Sequence, residues 1–196
     1  MKKFELTSET IVNALGVTLF RIKATVDIDR FGVKKGDLGG FIEKEDNLCN
    51  AWVHGDAQVY GDAWVSGDAR VFGNAWVHGN AWVYDNAWVY GDAWVSGDAR
   101  VAGNARVFGD AWVYGNAQVS DNDDLCWFSR FGSAHRTTTA YRTKLGVSVR
   151  CGYFEGTLDE FTKQVKETHG ESKYAREYLA IAEVIKIKFD LCDKKN

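Results

Sequence analysis

The chain of 196 residues has no proline, one methionine and no run of 18 apolar residues. The lack of such a run excludes a membrane-spanning helix. Lys2 and Lys3 are followed by a segment that contains acidic residues and no apolar stretch, so no secretory signal is indicated either. We therefore expect a cytoplasmic protein that does not associate with membranes.

The chain also lacks a dominant charge and any regular spacing of cysteines. Its formal net charge is -3 and no basic stripe is visible, which argues against a nucleic-acid partner. The four cysteines, Cys49, Cys126, Cys151 and Cys192, show no CxxC spacing and no neighbouring pair of histidines. This pattern indicates neither a disulfide framework nor a metal site. We expect reduced, mostly buried thiols, and neither a metal nor another cofactor.

Glycine and tryptophan, by contrast, are abundant because the chain is repetitive. Twelve units of six residues run without interruption from Asn50 to Asp121. Each unit has Asn or Asp first, Ala second and Val fourth, and it ends in Gly except at Asp85 and Asp121. Ala and Val lie two places apart, so they share one face of a short strand and the residue between them takes the other. Gly followed by Asp or Asn suits a corner. Six residues therefore form one side and one corner of a solenoid, with Ala and Val inside.

An aliphatic residue followed four places later by a small one, as in Val53 and Ala57, resembles the left-handed β-helix hexapeptide-repeat family. The resemblance implies a triangular, left-handed coil, and the family commonly forms trimers with parallel axes. Twelve units then make four coils. One departure is that the place after the aliphatic residue is often aromatic here, as at Tyr60 and Phe72. We expect a mainly β fold: a left-handed parallel β-helix of about four coils, an N-terminal β cap and a small C-terminal α+β domain.

The limits of the repeat divide the chain into three predicted domains: the N-terminal β cap (1–49), the β-helix (50–121) and the C-terminal α+β domain (122–196). In the cap, residues 18–25 alternate well enough for a strand. In the C-terminal domain, a hairpin is expected from residues 136–142 and 147–154. Thr157 and Glu160 form a capping box that opens a helix ending near Gly170, and a second helix is expected over 173–189.

Nearly the whole chain is similar to uncharacterised hexapeptide-repeat proteins encoded by bacteriophages and prophages. The similarity rests on the entry segment at 36–48, the coils, and the segment at 151–170. It implies a phage or prophage origin and no established activity.

Positions 18 apart stack in such a solenoid, which sorts the outward residues into three sides. The first side carries Trp52, Arg70, Trp88 and Arg106; the second carries Gln58, Trp76, Trp94 and Trp112, beside Tyr60 and Tyr114; the third carries Trp64, Trp82, Arg100 and Gln118. Together these rings would expose a larger contiguous apolar area than a soluble monomer usually tolerates. Trp, Tyr and Arg are also enriched at the hot spots of protein interfaces. We therefore predict an assembly or binding surface on the first and second sides, formed by Trp76, Trp94, Trp112, Tyr60, Tyr114, Trp52, Arg70, Trp88 and Arg106. The alternative is a ladder of rings that stack on one another within the chain.

A weaker candidate lies on the predicted C-terminal hairpin. His135, Arg136, Tyr141 and Arg150 flank its turn and form a candidate contact for an anion or a protein partner, since guanidinium groups are bidentate donors. The alternative is a set of solvated polar side chains.

The predicted function is that of a non-enzymatic solenoid scaffold that self-associates and binds another macromolecule. We expect the assembly to be a trimer and the other macromolecule to be a protein. A phage-encoded accessory role, such as inhibition of a host-defence factor, extends this prediction. One alternative is an acyltransferase-like enzyme with an intersubunit active site. The coils contain two histidines that could act as its general base, His54 and His78. They fall on different sides, without an orienting carboxylate at an evident spacing. A carbohydrate-binding module is the other alternative.

Overall fold

The computed structural model describes residues 2–191, and its first part is built from four strands. These are β1 (Phe4–Val12), β2 (Thr18–Ala24), β3 (Leu38–Ile42) and β4 (Leu48–Cys49), with 3-10 helices at Asp29–Phe31 and Glu45–Asn47. The first three strands are antiparallel neighbours. The strand expected over 18–25 is confirmed, whereas β1 was not predicted. A register shift between Leu6 and Thr10 interrupts the alternation by which a strand is recognised in a sequence.

The repeat forms twelve short strands, one in each six-residue unit. They are β5 (Trp52–Val53), β6 (Gln58–Val59), β7 (Trp64–Ser66), β8 (Arg70–Val71), β9 (Trp76–Val77), β10 (Trp82–Val83), β11 (Trp88–Val89), β12 (Trp94–Val95), β13 (Arg100–Val101), β14 (Arg106–Val107), β15 (Trp112–Val113) and β16 (Gln118–Val119). Each strand contains the outward residue and the valine of its unit, as the period of two predicts.

These strands stack in three parallel rows, which are the three sides of the solenoid. The first side is β5-β8-β11-β14, the second runs β1-β2-β3-β6-β9-β12-β15, and the third is β4-β7-β10-β13-β16. Four strands of the repeat in each row give four coils. Residues 18 apart are in register, as in the pair Trp76 and Trp94, so the predicted columns are confirmed.

The interior of the solenoid consists of the repeat's small and branched residues. All twelve alanines and all twelve valines of the units are at most 5% exposed. The corners follow the predicted chemistry: their glycines have φ between +56° and +74°, and Asp85 takes the same left-handed conformation at φ +59°.

Both ends of this core are closed by residues from outside the repeat. Ile28, Phe31 and Val33 join it at the N-terminal end, and Leu125 and Tyr141 join it at the other. The coils are therefore not left with an open apolar end.

The C-terminal part is an antiparallel sheet with two helices on one face. Its strands are β17 (Leu125–Phe131), β18 (Arg136–Thr143), β19 (Gly146–Cys151) and β20 (Phe154–Thr157), and its helices are α1 (Leu158–His169) and α2 (Lys173–Lys188). Both helices were predicted within a residue of these bounds. The predicted hairpin is wrong in extent: its second strand ends at Cys151, because Gly152 turns the chain at φ +60° and Phe154 begins a new strand.

Candidate binding surfaces

The second side presents a row of stacked tryptophans, which we call the indole row: Trp76, Trp94 and Trp112. The in-register parallel strands set their spacing. The ring centroids of Trp76 and Trp94 are 4.7 Å apart with planes inclined by 13°, and those of Trp94 and Trp112 are 5.0 Å apart with planes inclined by 9°. All three side chains are half-buried, so the rings cover one another's faces and keep an accessible edge. The three rings thus form the internal ladder that was the alternative prediction, and the assembly surface stays a prediction.

The C-terminal sheet closes one end of the indole row. The Arg150 guanidinium lies 5.2 Å from the Trp112 ring centroid and 4.5 Å from that of Tyr114, at cation–π range. Glu155 pairs with Arg150 at 3.4 Å. The Trp112 backbone N–H donates to the Thr139 hydroxyl at 3.2 Å, which satisfies an edge group of the last coil. The row therefore ends against a positive charge that the C-terminal sheet holds in place.

Tyr60 was predicted to lie on the assembly surface, and the structure corrects this. It is 4% exposed because Leu19 and Phe41 of the N-terminal strands pack against it, and its ring stacks on His78 at 4.8 Å. Tyr114, in the same column, is 39% exposed and stays on the surface.

The surroundings of both coil histidines lower the pKa of their imidazoles. Burial lowers the pKa of His78, and burial together with the charge of Arg70 lowers the pKa of His54. Among residues 2–191, neither imidazole is hydrogen-bonded to a carboxylate, and the buried His78 Nε2 has no partner. Neither histidine is therefore oriented by a carboxylate of this part of the chain, as a general base of an acyltransferase would be.

The first side alternates arginine and tryptophan as predicted, with one correction. Trp52 is 1% exposed and belongs to the core, so it is not part of a surface. The guanidinium groups of Arg70 and Arg106 lie 5.4 Å and 5.0 Å from the Trp88 ring, one on each side of it along the column.

A second stack of rings lies beside this column. Phe72, Tyr90 and Phe108 stack at 4.7 Å and 5.0 Å, and Trp127 of β17 meets Phe108 edge-on at 4.4 Å. Trp127 was missed by the sequence analysis because it lies outside the repeat and nothing in its flanking residues marks it. The third side is less regular: Trp82 is 42% exposed, and Arg100 lies 5.2 Å from its ring.

The four residues of the predicted C-terminal contact site lie in different environments. Tyr141 is fully buried, because it faces the last coil, and its hydroxyl donates to Glu155 at 3.4 Å. Burial and the nearby Glu155 raise the pKa of Tyr141. His135 is exposed near the start of β18. Arg136 and Arg150 line the same cavity of about 430 Å³, together with Trp112 and Tyr153.

Other features bear on cofactors and on membranes. No group of three or more His, Cys, Asp or Glu side chains in the described part of the chain is arranged to hold a metal ion. Cys126 and Cys151 are half-buried free thiols, whereas Cys49 is exposed, which corrects its predicted burial; Cys192 lies outside the described residues. Within residues 2–191, no helix is long and apolar enough to cross a membrane.

Comparison with known proteins supports the solenoid. A family model described as YdcK beta solenoid repeat matches residues 63–79, 81–97 and 99–115, all of them within the coils. No curated protein matches the chain. The chain is thus a β-solenoid repeat protein, and the match covers neither the N-terminal strands nor the C-terminal sheet and helices.

Proposed function

We propose that this protein is a non-enzymatic scaffold that associates with further copies of itself and binds another macromolecule. The observation that carries the proposal is the indole row, whose three rings keep accessible edges on one flat side of a rigid stack. Tryptophans held in fixed positions lose little conformational entropy on binding, and they are enriched at interface hot spots.

Charges beside the row favour a particular arrangement of copies. The first side carries Arg70 and Arg106, whereas the second side carries the indole row. Neither arginine forms an ion pair within residues 2–191. Arginines on one side and tryptophan rings on the next favour a closed ring in which the first side of one chain meets the second side of the next. A left-handed coil and a trimer with parallel axes, as the family resemblance implies, would suit such a ring.

The third side and the C-terminal sheet and helices remain for another partner in this arrangement. The third side offers Trp82 and Arg100, a pairing of residue types common at protein interfaces. The similarity to phage-encoded proteins supports a protein target, and a host-defence factor inhibited by the assembled scaffold is the role we propose.

The self-association can be tested with a substitution that the repeat already uses. Arg occurs between tryptophans at position 70, so Trp94→Arg should keep the coil folded while placing a charge in the centre of the indole row. In the proposed ring this charge faces the arginines of the neighbouring first side, and like charges at an interface are unfavourable. Trp82→Arg makes the same chemical change on the third side and serves as the matched control.

Size-exclusion chromatography with light scattering gives the mass of each variant, and far-UV circular dichroism reports its fold. We expect the wild type and Trp82→Arg to be trimers and Trp94→Arg to be a folded monomer. A monomeric wild type would overturn self-association. A trimer that survives Trp94→Arg but not Trp82→Arg would move the interface to the third side.

A further inference from the structure

The C-terminal part contains a cavity of about 500 Å³, which we call the C-terminal cleft. It lies between the adjoining ends of β18 and β19 and the two helices, and none of its lining residues belongs to the coils. Phe161, Val165 and Tyr178 are almost fully buried and form an apolar wall, with Phe154 beside them. A concave site of this size with a mainly apolar lining is typical of small-molecule pockets.

The lining of the cleft carries a net positive charge. Arg136 is the one permanently charged side chain among the twelve residues that line it, and no Asp or Glu is among them. Arg136 is exposed and forms no ion pair within residues 2–191. Arg136 also lines the cavity at the solenoid junction, where Asp110 is in the lining but forms no ion pair with it, and where Arg150 is paired with Glu155. Arg136 therefore offers the C-terminal cleft an unneutralised guanidinium group.

Two neighbours lie beside Arg136. A Cβ atom on Gly152 would lie 2.4 Å from its Nη1 and 2.8 Å from its Cδ, so the absence of a side chain at residue 152 makes room for the arginine. The guanidinium lies 5.6 Å from the ring centroid of Tyr153, which is 97% exposed. The guanidinium group is therefore accessible to a ligand at the edge of the cleft.

Polar groups around the cleft are held by contacts within the protein. Burial and the neighbouring Cys151 raise the pKa of Tyr178 to about 12. The Thr138 hydroxyl donates to Cys151 Sγ at 3.3 Å, and the His169 ring stacks on Tyr178 at 5.6 Å. These contacts keep the side chains ordered around the apolar wall.

We infer that the C-terminal cleft binds a small amphiphilic carboxylate, with its apolar body against the half-buried Phe154 and its carboxylate on Arg136. An apolar wall beside one unpaired cation, without a carboxylate of the protein's own, selects for a ligand that carries both features. The inference is tested separately from self-association, because Arg136 and Gln164, which the test replaces, lie outside the coils.

Isothermal titration calorimetry with three matched probes tests both halves of the inference. The probes are 4-phenylbutyrate, its neutral amide, and acetate, which has the charge without the body. We expect saturable binding of one 4-phenylbutyrate per chain, and affinities at least about tenfold weaker for the amide and for acetate. Arg136→Gln should weaken 4-phenylbutyrate at least about tenfold and leave the amide unchanged.

Two further variants locate the site. Arg176→Gln removes another exposed arginine of the same part of the chain and should bind 4-phenylbutyrate like the wild type. Gln164→Trp places a large ring in the cleft from the exposed face of α1 and should abolish binding while circular dichroism stays unchanged. Equal binding of the acid and the amide, wild-type affinity in Arg136→Gln or Gln164→Trp, or no saturable binding by the wild type would each overturn the inference.

Discussion

At the scale of single residues, the corner glycines meet two separate demands. Gly97 has φ +71°, and a Cβ atom there would lie 2.8 Å from the backbone nitrogen of Gly115 in the next coil. Gly16, in the turn between β1 and β2, has a similar φ of +78° but no heavy atom within 4 Å of such a Cβ. The two positions therefore separate the conformational cost of a side chain from the cost of close stacking between coils.

Alanine at these two sites should give different losses of stability. Both substitutions force a side chain into the left-handed region, at about 1–2 kcal/mol each. Gly97→Ala should lose at least about 1 kcal/mol more, because backbone atoms of the next coil must move to admit the methyl group. Urea unfolding of the two variants measures the difference. Equal losses would contradict the tight corner-to-corner contact.

At the scale of elements, α1 is fixed at its start by a capping box that the sequence predicted. The Thr157 hydroxyl accepts a hydrogen bond from the Glu160 N–H at 3.2 Å, and the Glu160 carboxylate accepts from the Thr157 N–H at 2.8 Å. The bonds from the Thr157 backbone and hydroxyl lower the pKa of Glu160 below its ordinary value of 4.5. The ionised carboxylate is thus favoured by the folded state.

This shift predicts a pH dependence with a definite sign. Because the pKa of Glu160 is lower in the folded chain, its contribution is complete above pH 4.5 and is lost as the pH falls through the folded value. Glu160→Gln should be less stable than the wild type at neutral pH and equal to it in acid. Thermal unfolding of both proteins across pH 3–7 measures the gap. A gap that does not narrow toward low pH would contradict the assignment.

The capping threonine can be tested separately. Thr157→Ala removes the side-chain acceptor for the Glu160 N–H and should cost about 1 kcal/mol. Thr157→Ser keeps a capping hydroxyl and should cost less than half as much. Urea unfolding at neutral pH compares the two variants, and equal losses would indicate that the threonine methyl group, rather than the cap, stabilises this turn.

At the scale of the whole molecule, the solenoid depends on segments outside the repeat. Tyr141 of β18 is fully buried in the same core as the alanines and valines of the coils. The last coil also donates hydrogen bonds from its Arg106 and Trp112 backbone N–H groups to Asn122 Oδ1 and to the Thr139 hydroxyl. These contacts cover strand edges that would otherwise be free to pair with another chain. The C-terminal sheet is therefore a structural end of the solenoid.

Truncation of Tyr141 should destabilise the whole chain. Tyr141→Ala leaves a cavity at the end of the core and should cost about 3–5 kcal/mol, as for other buried aromatic residues. Tyr141→Phe keeps the ring, loses the hydroxyl's long hydrogen bond to Glu155 and its hydrogen bond with the Tyr114 backbone, and should cost about 1–2 kcal/mol. Chemical denaturation monitored by tryptophan fluorescence tests this. A mild effect of Tyr141→Ala would mean that the last coil does not need this closure.

Features with a local cause were predictable. The columns of Trp76, Trp94 and Trp112 follow from a period of 18, and α1 follows from the pair Thr157 and Glu160. Features that depend on distant partners were not. The burial of Trp52 and Tyr60 depends on N-terminal strands that carry no repeat, and the C-terminal cleft joins residues of two strands and two helices.

The sequence by itself determined the solenoid, its corners, its apolar interior and the order of outward residues on each side. It could do so because every unit meets an equivalent unit 18 residues away, so one local pattern specifies the whole stack. Only the tertiary structure decided which outward rings are covered, where Arg150 meets the indole row and how Arg136 borders an apolar cleft. Those outcomes depend on how non-repetitive segments dock against the coils and each other, and no periodicity in the chain encodes such contacts.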